Sequence, residues 1–177
     1  MDKWNTLDSQ TVLDHPVLKV ERCQRRKGPR HGEFVVLHSP DWVNVIPLTP
    51  EGRVVLIRQW RQGSQDWALE IPGGLVDPGE ELEQAAAREL AEETGYRARR
   101  LEYLGKVNPN PALFDNTCHT FLGVDCEPNG PPRLDDCEEI EVLSAAQEEL
   151  PGLVAGGQID HCIVIAALAF FWLRGRA

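Results

Sequence analysis

A mixed α and β domain is the fold class this sequence predicts, from three observations. Short runs rich in β-branched and aromatic residues recur between Gly- and Pro-containing turns, a helix signature runs from Asp77 to Gly95, and an apolar stretch extends from Cys162 to Leu173. At 177 residues the chain suits one globular domain with a sizeable core.

The elements are predicted in chain order. Val17 to Arg22 and Glu33 to Leu37 read as strands separated by a basic turn, Arg25 to His31. Trp42 to Leu48 and Val54 to Trp60 follow, joined by the turn Thr49-Pro50-Glu51-Gly52. Trp67 to Ile71 is a short strand entering Pro72-Gly73-Gly74. Asp77 suits a helix N-cap, Pro78 the first helical position and Glu80 a capping box, while Gly95 is free to take the left-handed conformation that ends a helix. Ala, Leu, Glu and Gln fill the interval and favour the helix. Strands are expected near Arg99 to Leu104 and Cys118 to Val124, with loops over Asn108 to Asp115 and Glu127 to Pro132. Ile140 to Leu143 reads as a strand, and Ser144 to Leu150 and Ile159 to Leu173 as helices.

Composition narrows the function classes. A net charge of −10 argues against general nucleic-acid binding, which wants a basic surface. The excess lies largely in Gly74 to Tyr96 and in Asp125 to Glu149. The five cysteines, Cys23, Cys118, Cys126, Cys137 and Cys162, include no C-x-x-C pair and suggest neither a zinc finger nor a disulfide framework. Scattered thiols fit a reducing cytoplasm. Met1 to Asp14 is mostly polar, unlike a signal peptide, and the apolar run Cys162 to Leu173 is too short to cross a bilayer.

The segment GLVDPGEELEQAAARELAEETGY, Gly74 to Tyr96, carries six glutamates in 23 residues. Crowded carboxylates raise one another's pKa, and a hard divalent cation removes that cost through oxygen ligands. At ~100° per residue, Leu82, Ala86 and Leu90 share a face with Glu89 and Glu93, and Glu92 lies at its edge. A solvated helix would place its acids on the far side, because burying an unpaired charge is expensive. Arg88 pairing with Glu92 four residues on is the ordinary surface alternative.

This segment resembles the Nudix box, G-x5-E-x7-R-E-U-x-E-E-x-G-U with U a bulky aliphatic residue. Gly74, Glu80, Arg88, Glu89, Leu90, Glu92, Glu93 and Gly95 match without insertion, and Tyr96 at the last U is the one departure. Leu56 to Gly74, LIRQWRQGSQDWALEIPGG, is similar to the segment before the box in the ADP-ribose and nucleoside-diphosphate-sugar pyrophosphatase branch. Pro111, 15 residues past Tyr96, stands near a proline typical of that branch. CEEIEV, Cys137 to Val142, and Gly157 to Leu173 resemble its late acidic loop and final helix.

The resemblance implies the Nudix α/β/α sandwich with a mixed sheet over residues 41–177, preceded by an antiparallel strand extension over 1–40 that serves dimerisation and substrate contact. It implies hydrolysis of a pyrophosphate bond in ADP-ribose or a related nucleoside diphosphate sugar, with Mg2+ or Mn2+ as cofactor, in a cytoplasmic homodimer with no nucleic-acid or membrane partner. Glu89 and Glu93 are the first expected metal ligands, then Glu92, with the Gly73 carbonyl and Glu138 completing the set. Arg88 would hold the box carboxylates in position. The general base would come from the late loop, with Glu138 favoured and Asp136 the alternate, although a box glutamate such as Glu92 could serve. Arg61 would contact the diphosphate, Glu70 the ribose or distal sugar, and Trp42 and Pro111 the substrate. Trp4, Trp60 and Trp67 are further stacking candidates, although a tryptophan is more often core. His119 reads as structural. Two alternatives keep the fold: a hydrolase of nucleoside triphosphates or dinucleoside polyphosphates, and a non-catalytic nucleotide sensor. The sensor would be expected to lose box carboxylates, which this chain retains.

Overall fold

The computed structural model describes residues 2–174. Its backbone falls into two units, Met1–Asp41 with Asn108–Thr117, and Trp42–Val107 with Cys118–Ala177.

The first unit is an antiparallel sheet of β1 (Asn5–His15), β2 (Leu18–Lys27) and β3 (Arg30–His38), in that order. β1 is exposed along its whole length and was not among the strands expected from sequence. An element with water on both sides leaves no hydrophobic alternation to read. The expected basic turn over Arg25 to His31 is mostly strand: Arg26 pairs with His31 and Lys27 with Arg30, so the reversal narrows to Gly28 and Pro29.

The second unit is layered by strand alternation. β4 (Trp42–Pro47) pairs antiparallel with β7 (Gly73–Leu75) and parallel with β10 (Cys118–Val124), which pairs antiparallel with β9 (Arg100–Val107). The sheet is therefore mixed, in the order β7-β4-β10-β9. Successive side chains point to opposite faces. Val43, Val45 and Phe121 pack with Ala85, Ala86 and Leu90 of α1 (Leu82–Thr94). Ile46 and Leu122 pack with Val164, Ala167, Leu168 and Phe171 of α3 (Cys162–Leu173). Helices on both faces give the α/β/α sandwich. A second sheet, β12-β5-β6, joins β12 (Ile140–Ala146), β5 (Arg53–Arg61) and β6 (Asp66–Glu70). β8 (Tyr96–Arg97) and β11 (Glu127–Pro128) form a two-residue pairing.

Three of the differences from the sequence expectation have a clear physical reason. First, α1 begins at Leu82 with Glu81 as its N-cap, not at Pro78. Gly79 adopts φ +82°, which interrupts a right-handed helix, and the Glu80 N–H closes a turn on the Asp77 carbonyl at 3.0 Å. Asp77 therefore shapes a turn before the helix and does not cap it. Second, Ser144 to Ala146 continue β12, pairing with Val55, Val54 and Arg53, and the following helix, α2, spans Leu150–Ala155. Cross-strand pairing there overrides the helix propensity of Ala145 and Ala146. Third, Gly73 and Gly74, read as the end of the Pro72-Gly73-Gly74 connection after the expected strand, belong to β7 with Leu75.

Gly95 ends α1 in the left-handed region at φ 72°, donating its N–H to the Ala91 carbonyl at 2.9 Å. A Cβ there would stand 2.2 Å from the Gly130 carbonyl oxygen. Gly95→Ala is expected to destabilise the protein by at least ~1 kcal/mol, through positive φ and this backbone clash together. Urea denaturation of the two proteins measures it.

Candidate active site

The β7–α1 junction brings the box acids to one place. Glu93, on the sheet side of α1, is 4% exposed, and its Oε2 accepts the Gly73 N–H at 2.7 Å. Burial raises its pKa to about 8, and the charges of Glu89 and Glu138 add to the rise. Burial likewise raises Glu89 against the opposing pull of Arg88, with Glu92 and Glu138 adding to the rise. These carboxylates are under-compensated by the chain alone.

Two glycines make room for them. Gly73 pairs with Asn44 across the β4–β7 ladder, and a Cβ on it would lie 2.3 Å from the Val43 carbonyl oxygen. A Cβ on Gly74 would lie 2.5 Å from Glu89 Oε1 and 2.7 Å from Oε2. The Glu89 carboxylate thus rests in space that any other residue at 74 would fill.

Arg88 organises the acids from the other side. Its Nε and Nη2 donate to Glu80 Oε1 and Oε2, each at 2.9 Å, and Nη2 also donates to the Leu75 carbonyl. Nη1 reaches Glu89 Oε1 at 2.7 Å and Glu92 Oε2 at 3.2 Å. Glu80, whose role the sequence divided between capping and the box, is bound bidentately by this arginine. Glu92 is the more open of the acids, its side chain 36% exposed against 14% for Glu89.

Of the two late-loop candidates, Glu138 is the one whose charge acts on the box acids. Glu138 is half-buried, and its charge acts on Arg61, Glu89 and Glu93, whereas Asp136 is exposed on the loop. Glu138 Oε2 accepts the Asp135 N–H at 3.1 Å, while its own N–H donates to the Asp135 carbonyl at 3.0 Å. This reciprocal turn fixes the loop just before it pairs with β5.

Arg61, at the end of β5, gives Nε and Nη2 to Glu70 Oε1 and Oε2 at 2.7 and 2.8 Å. Glu70 is 2% exposed, and burial alone would raise its pKa, but hydrogen bonds from Arg61 and His161 overcome that and lower it to about 2. Glu70 is therefore occupied by Arg61 and His161 of the chain itself, which the sequence pattern did not foretell. His161, at the start of α3, was also not singled out by sequence reasoning. The only signal was its place in the final-helix segment.

Of the remaining candidates, Trp42 is half-buried at the start of β4, and Pro111 is exposed in the Asn108–Thr117 segment of the first unit. Trp60 and Trp67 stack edge to face across the β5–β6 hairpin, with centroids 5.8 Å apart. His119 is buried, with Nδ1 3.2 Å from the Tyr103 hydroxyl. Two surface cavities, of about 360 and 620 Å3, are lined by other residues, such as Lys19 with His38, and Gln84 with Arg97.

Among the described residues, no three ligating side chains converge closely enough to hold an ion as the chain stands. Arg88 takes up carboxylate oxygens there instead. The donor chemistry nonetheless fits a hard divalent cation. It is all oxygen, it concentrates negative charge on Glu89, Glu93 and Glu138, and Gly74 leaves a cradle for the Glu89 carboxylate.

Fold and site together define a protein of the Nudix type. The NUDIX domain family model matches residues 38–159, and the chain belongs to that family. It is 31% identical over 167 residues to an ADP-ribose pyrophosphatase of Bacillus subtilis (strain 168), covering 94% of this chain and 88% of that protein. It is 34% identical over 182 residues to an ADP-sugar pyrophosphatase of Mus musculus, covering 97% and 81% of the two. Among solved structures, an ADP compounds hydrolase superposes with a TM-score of 0.87 at 24% identity, over 100% of this chain and 97% of that one, which establishes the shared fold.

Proposed function

We propose that the protein hydrolyses the pyrophosphate bond of ADP-ribose or a related nucleoside diphosphate sugar. The products are a nucleoside monophosphate and a sugar phosphate. The observation that carries this reading is the acid cluster at the β7–α1 junction, where buried Glu93 accepts the Gly73 N–H and half-buried Glu89 rests against Gly74, with the charges of Glu138 and Arg61 acting on Glu93. Acids that need a cation thus stand within electrostatic reach of an arginine fork suited to phosphate. The names of the similar pyrophosphatases point to the same substrate class.

Glu89 and Glu93, with Glu92, Glu138 and the Gly73 carbonyl, are the groups that would hold Mg2+ or Mn2+. Bound there, a divalent cation would neutralise phosphate charge and lower the pKa of water. Glu138 accepts a proton from the attacking water as its oxygen bonds to phosphorus and the bridging P–O bond breaks. Arg61 steadies the phosphate oxygens, and Arg88 fixes Glu80, Glu89 and Glu92 relative to one another. Trp42 and Pro111 remain candidates for contact with the nucleotide.

Glu138→Gln is expected to lower kcat ~10²- to 10⁴-fold, the usual weight of a general base. The loss in Asp136→Asn should be at least tenfold smaller, roughly. Steady-state kinetics on the two variants decides between them, and an equal loss in both would remove Glu138 from the role.

We also assign residues 1–40 to a dimerisation and substrate-contact extension. Supporting this, Leu7, Val12, Leu13, Val17 and Val35 are exposed on the first unit. Such a surface favours a homodimer with a second copy of the chain. Light scattering showing a compact monomer at working concentration would refute it. A cytoplasmic location fits the scattered thiols; among the described residues no helix is long and apolar enough to cross a membrane.

The substrate is tested by turnover of ADP-ribose, ADP-glucose, GDP-mannose and dATP side by side in 18O water, with products identified by mass spectrometry. A preference for dATP would favour a triphosphatase and overturn the proposal. The position of the label shows which phosphorus is attacked.

A further inference from the structure

We infer that His161 is a positioning residue for the substrate's pyrophosphate, acting through Glu70 on Arg61. This rests on the pyrophosphatase reading above and adds a residue to it. His161 Nδ1 lies 2.7 Å from Glu70 Oε2, the same oxygen that accepts Arg61 Nη2 at 2.8 Å. The other oxygen, Oε1, accepts Arg61 Nε at 2.7 Å. An ionised carboxylate only accepts, so the proton in the His161 bond belongs to Nδ1.

The local sequence choice points the same way. His161 is the N-cap of α3, a position where Ser, Thr, Asp or Asn normally caps the first backbone N–H groups. His161 makes no such side-chain cap. Its ring turns to Glu70 instead, so the helix forgoes a cap at the place where the chain gains a brace. A local rule broken in this way marks functional positions more often than structural ones.

The brace has a rigid anchor. α3 buries Val164, Ala167, Leu168 and Phe171 in the core, and Glu70 is nearly sealed from solvent. The Arg61 side chain is 40% exposed; Nε and Nη2 are committed to Glu70, which leaves Nη1 outside that pair, and the charges of Glu93 and Glu138 act on the guanidinium. Fixing one edge of a guanidinium fork pre-orders the other for a phosphate oxygen. Without His161, Glu70 Oε2 keeps only Arg61, and the carboxylate and fork can swing together.

The test compares His161→Ala and His161→Asn with wild type. The asparagine amide nitrogen occupies the place of Nδ1, donates a hydrogen bond, and caps helices well. His161→Ala is expected to raise KM for the preferred substrate of the panel roughly five- to twentyfold, the weight of a hydrogen bond to a charged group, with kcat changed less than about threefold. His161→Asn should restore most of that KM. A substrate-independent measurement runs beside it: long-range 1H–15N correlation of the imidazole should show Nδ1 protonated in wild type and a shift toward the Nε2–H tautomer in Glu70→Ala. An unchanged KM in His161→Ala, failure of the asparagine rescue in a folded protein, or an unprotonated Nδ1 in wild type would each overturn the inference. If the panel instead selects a triphosphate, the pyrophosphatase reading fails. The variants are then compared on that substrate, whose phosphates present the same oxygens to Arg61.

Discussion

Glu93→Gln is expected to lower kcat by at least about a hundredfold, because metal-centred charge stabilisation supplies several kcal/mol of the barrier reduction. The fold should survive, since the glutamine carbonyl can still accept the Gly73 N–H that Glu93 Oε2 accepts at 2.7 Å. The substitution should even stabilise the metal-free protein at neutral and alkaline pH. Burial holds the Glu93 pKa at about 8 in the folded chain, above the ordinary 4.5. The stability associated with its proton is therefore complete below about pH 4.5 and lost as pH rises through about 8. In EDTA, the Tm of wild type should fall relative to Glu93→Gln across that interval. Mg2+ should narrow the gap, because it takes over the work of the proton. Activity near wild type in Mg2+ would refute the role assigned to Glu93.

The second large effect is expected at Gly74. A methyl group there meets Glu89 Oε1 at 2.5 Å and its Cδ at 2.6 Å, while no backbone atom is among its three nearest neighbours. The clash falls on the end of a side chain, so the carboxylate moves and the sheet does not. Gly74→Ala should retain a Tm within a few degrees of wild type and lose activity by about a hundredfold, the scale of a ligand misplaced by an ångström. Gly73→Ala provides the contrast. Its Cβ meets the Val43 carbonyl oxygen at 2.3 Å and Asn44 Cα at 2.8 Å, both backbone atoms, so it should lose stability as well. Thermal denaturation and steady-state kinetics on the pair separate the two effects. A fully active Gly74→Ala would show that the position of Glu89 is not needed.

The parts of this molecule that were legible in its sequence are those where one face is buried. Helical phase places Glu93 with Ala86 and Leu90, and all three are buried on α1. The interior strands Trp42–Pro47 and Cys118–Val124 emerge at the expected places because both are short runs rich in β-branched and aromatic residues. β1 was illegible because it is exposed along its whole length in the single chain and so shows no alternation of buried and exposed residues. The box helix starts later than its capping signal suggests because Gly79 takes a positive φ, a property of the folded turn that composition does not disclose. The extension of β12 through Ala146 depends on pairing with Arg53, 93 positions earlier in the chain.

The candidate site divides along the same line. Box residues at fixed spacing on one helix could be placed by phase alone. The Arg61–Glu70–His161 brace could not, because it joins a hairpin to a helix separated from it by 91 residues. From sequence, Arg61 and Glu70 read as having separate tasks, whereas a carboxylate buried as deeply as Glu70 needs the hydrogen bonds that Arg61 and His161 donate to it. The choice between Glu138 and Asp136 likewise needed the loop's conformation, since both stand in one acidic run.

Everything proposed for the site depends on Glu89 and Glu93, the acids beside β7, being metal ligands. The most direct test is anomalous diffraction from crystals soaked in Mn2+ with a non-hydrolysable methylene analogue of ADP-ribose. Mn2+ is expected to be coordinated by Glu89 and Glu93, with the analogue's phosphates against Arg61. Manganese bound elsewhere, or a substrate analogue seated with the Glu89 and Glu93 carboxylates still metal-free, would contradict it.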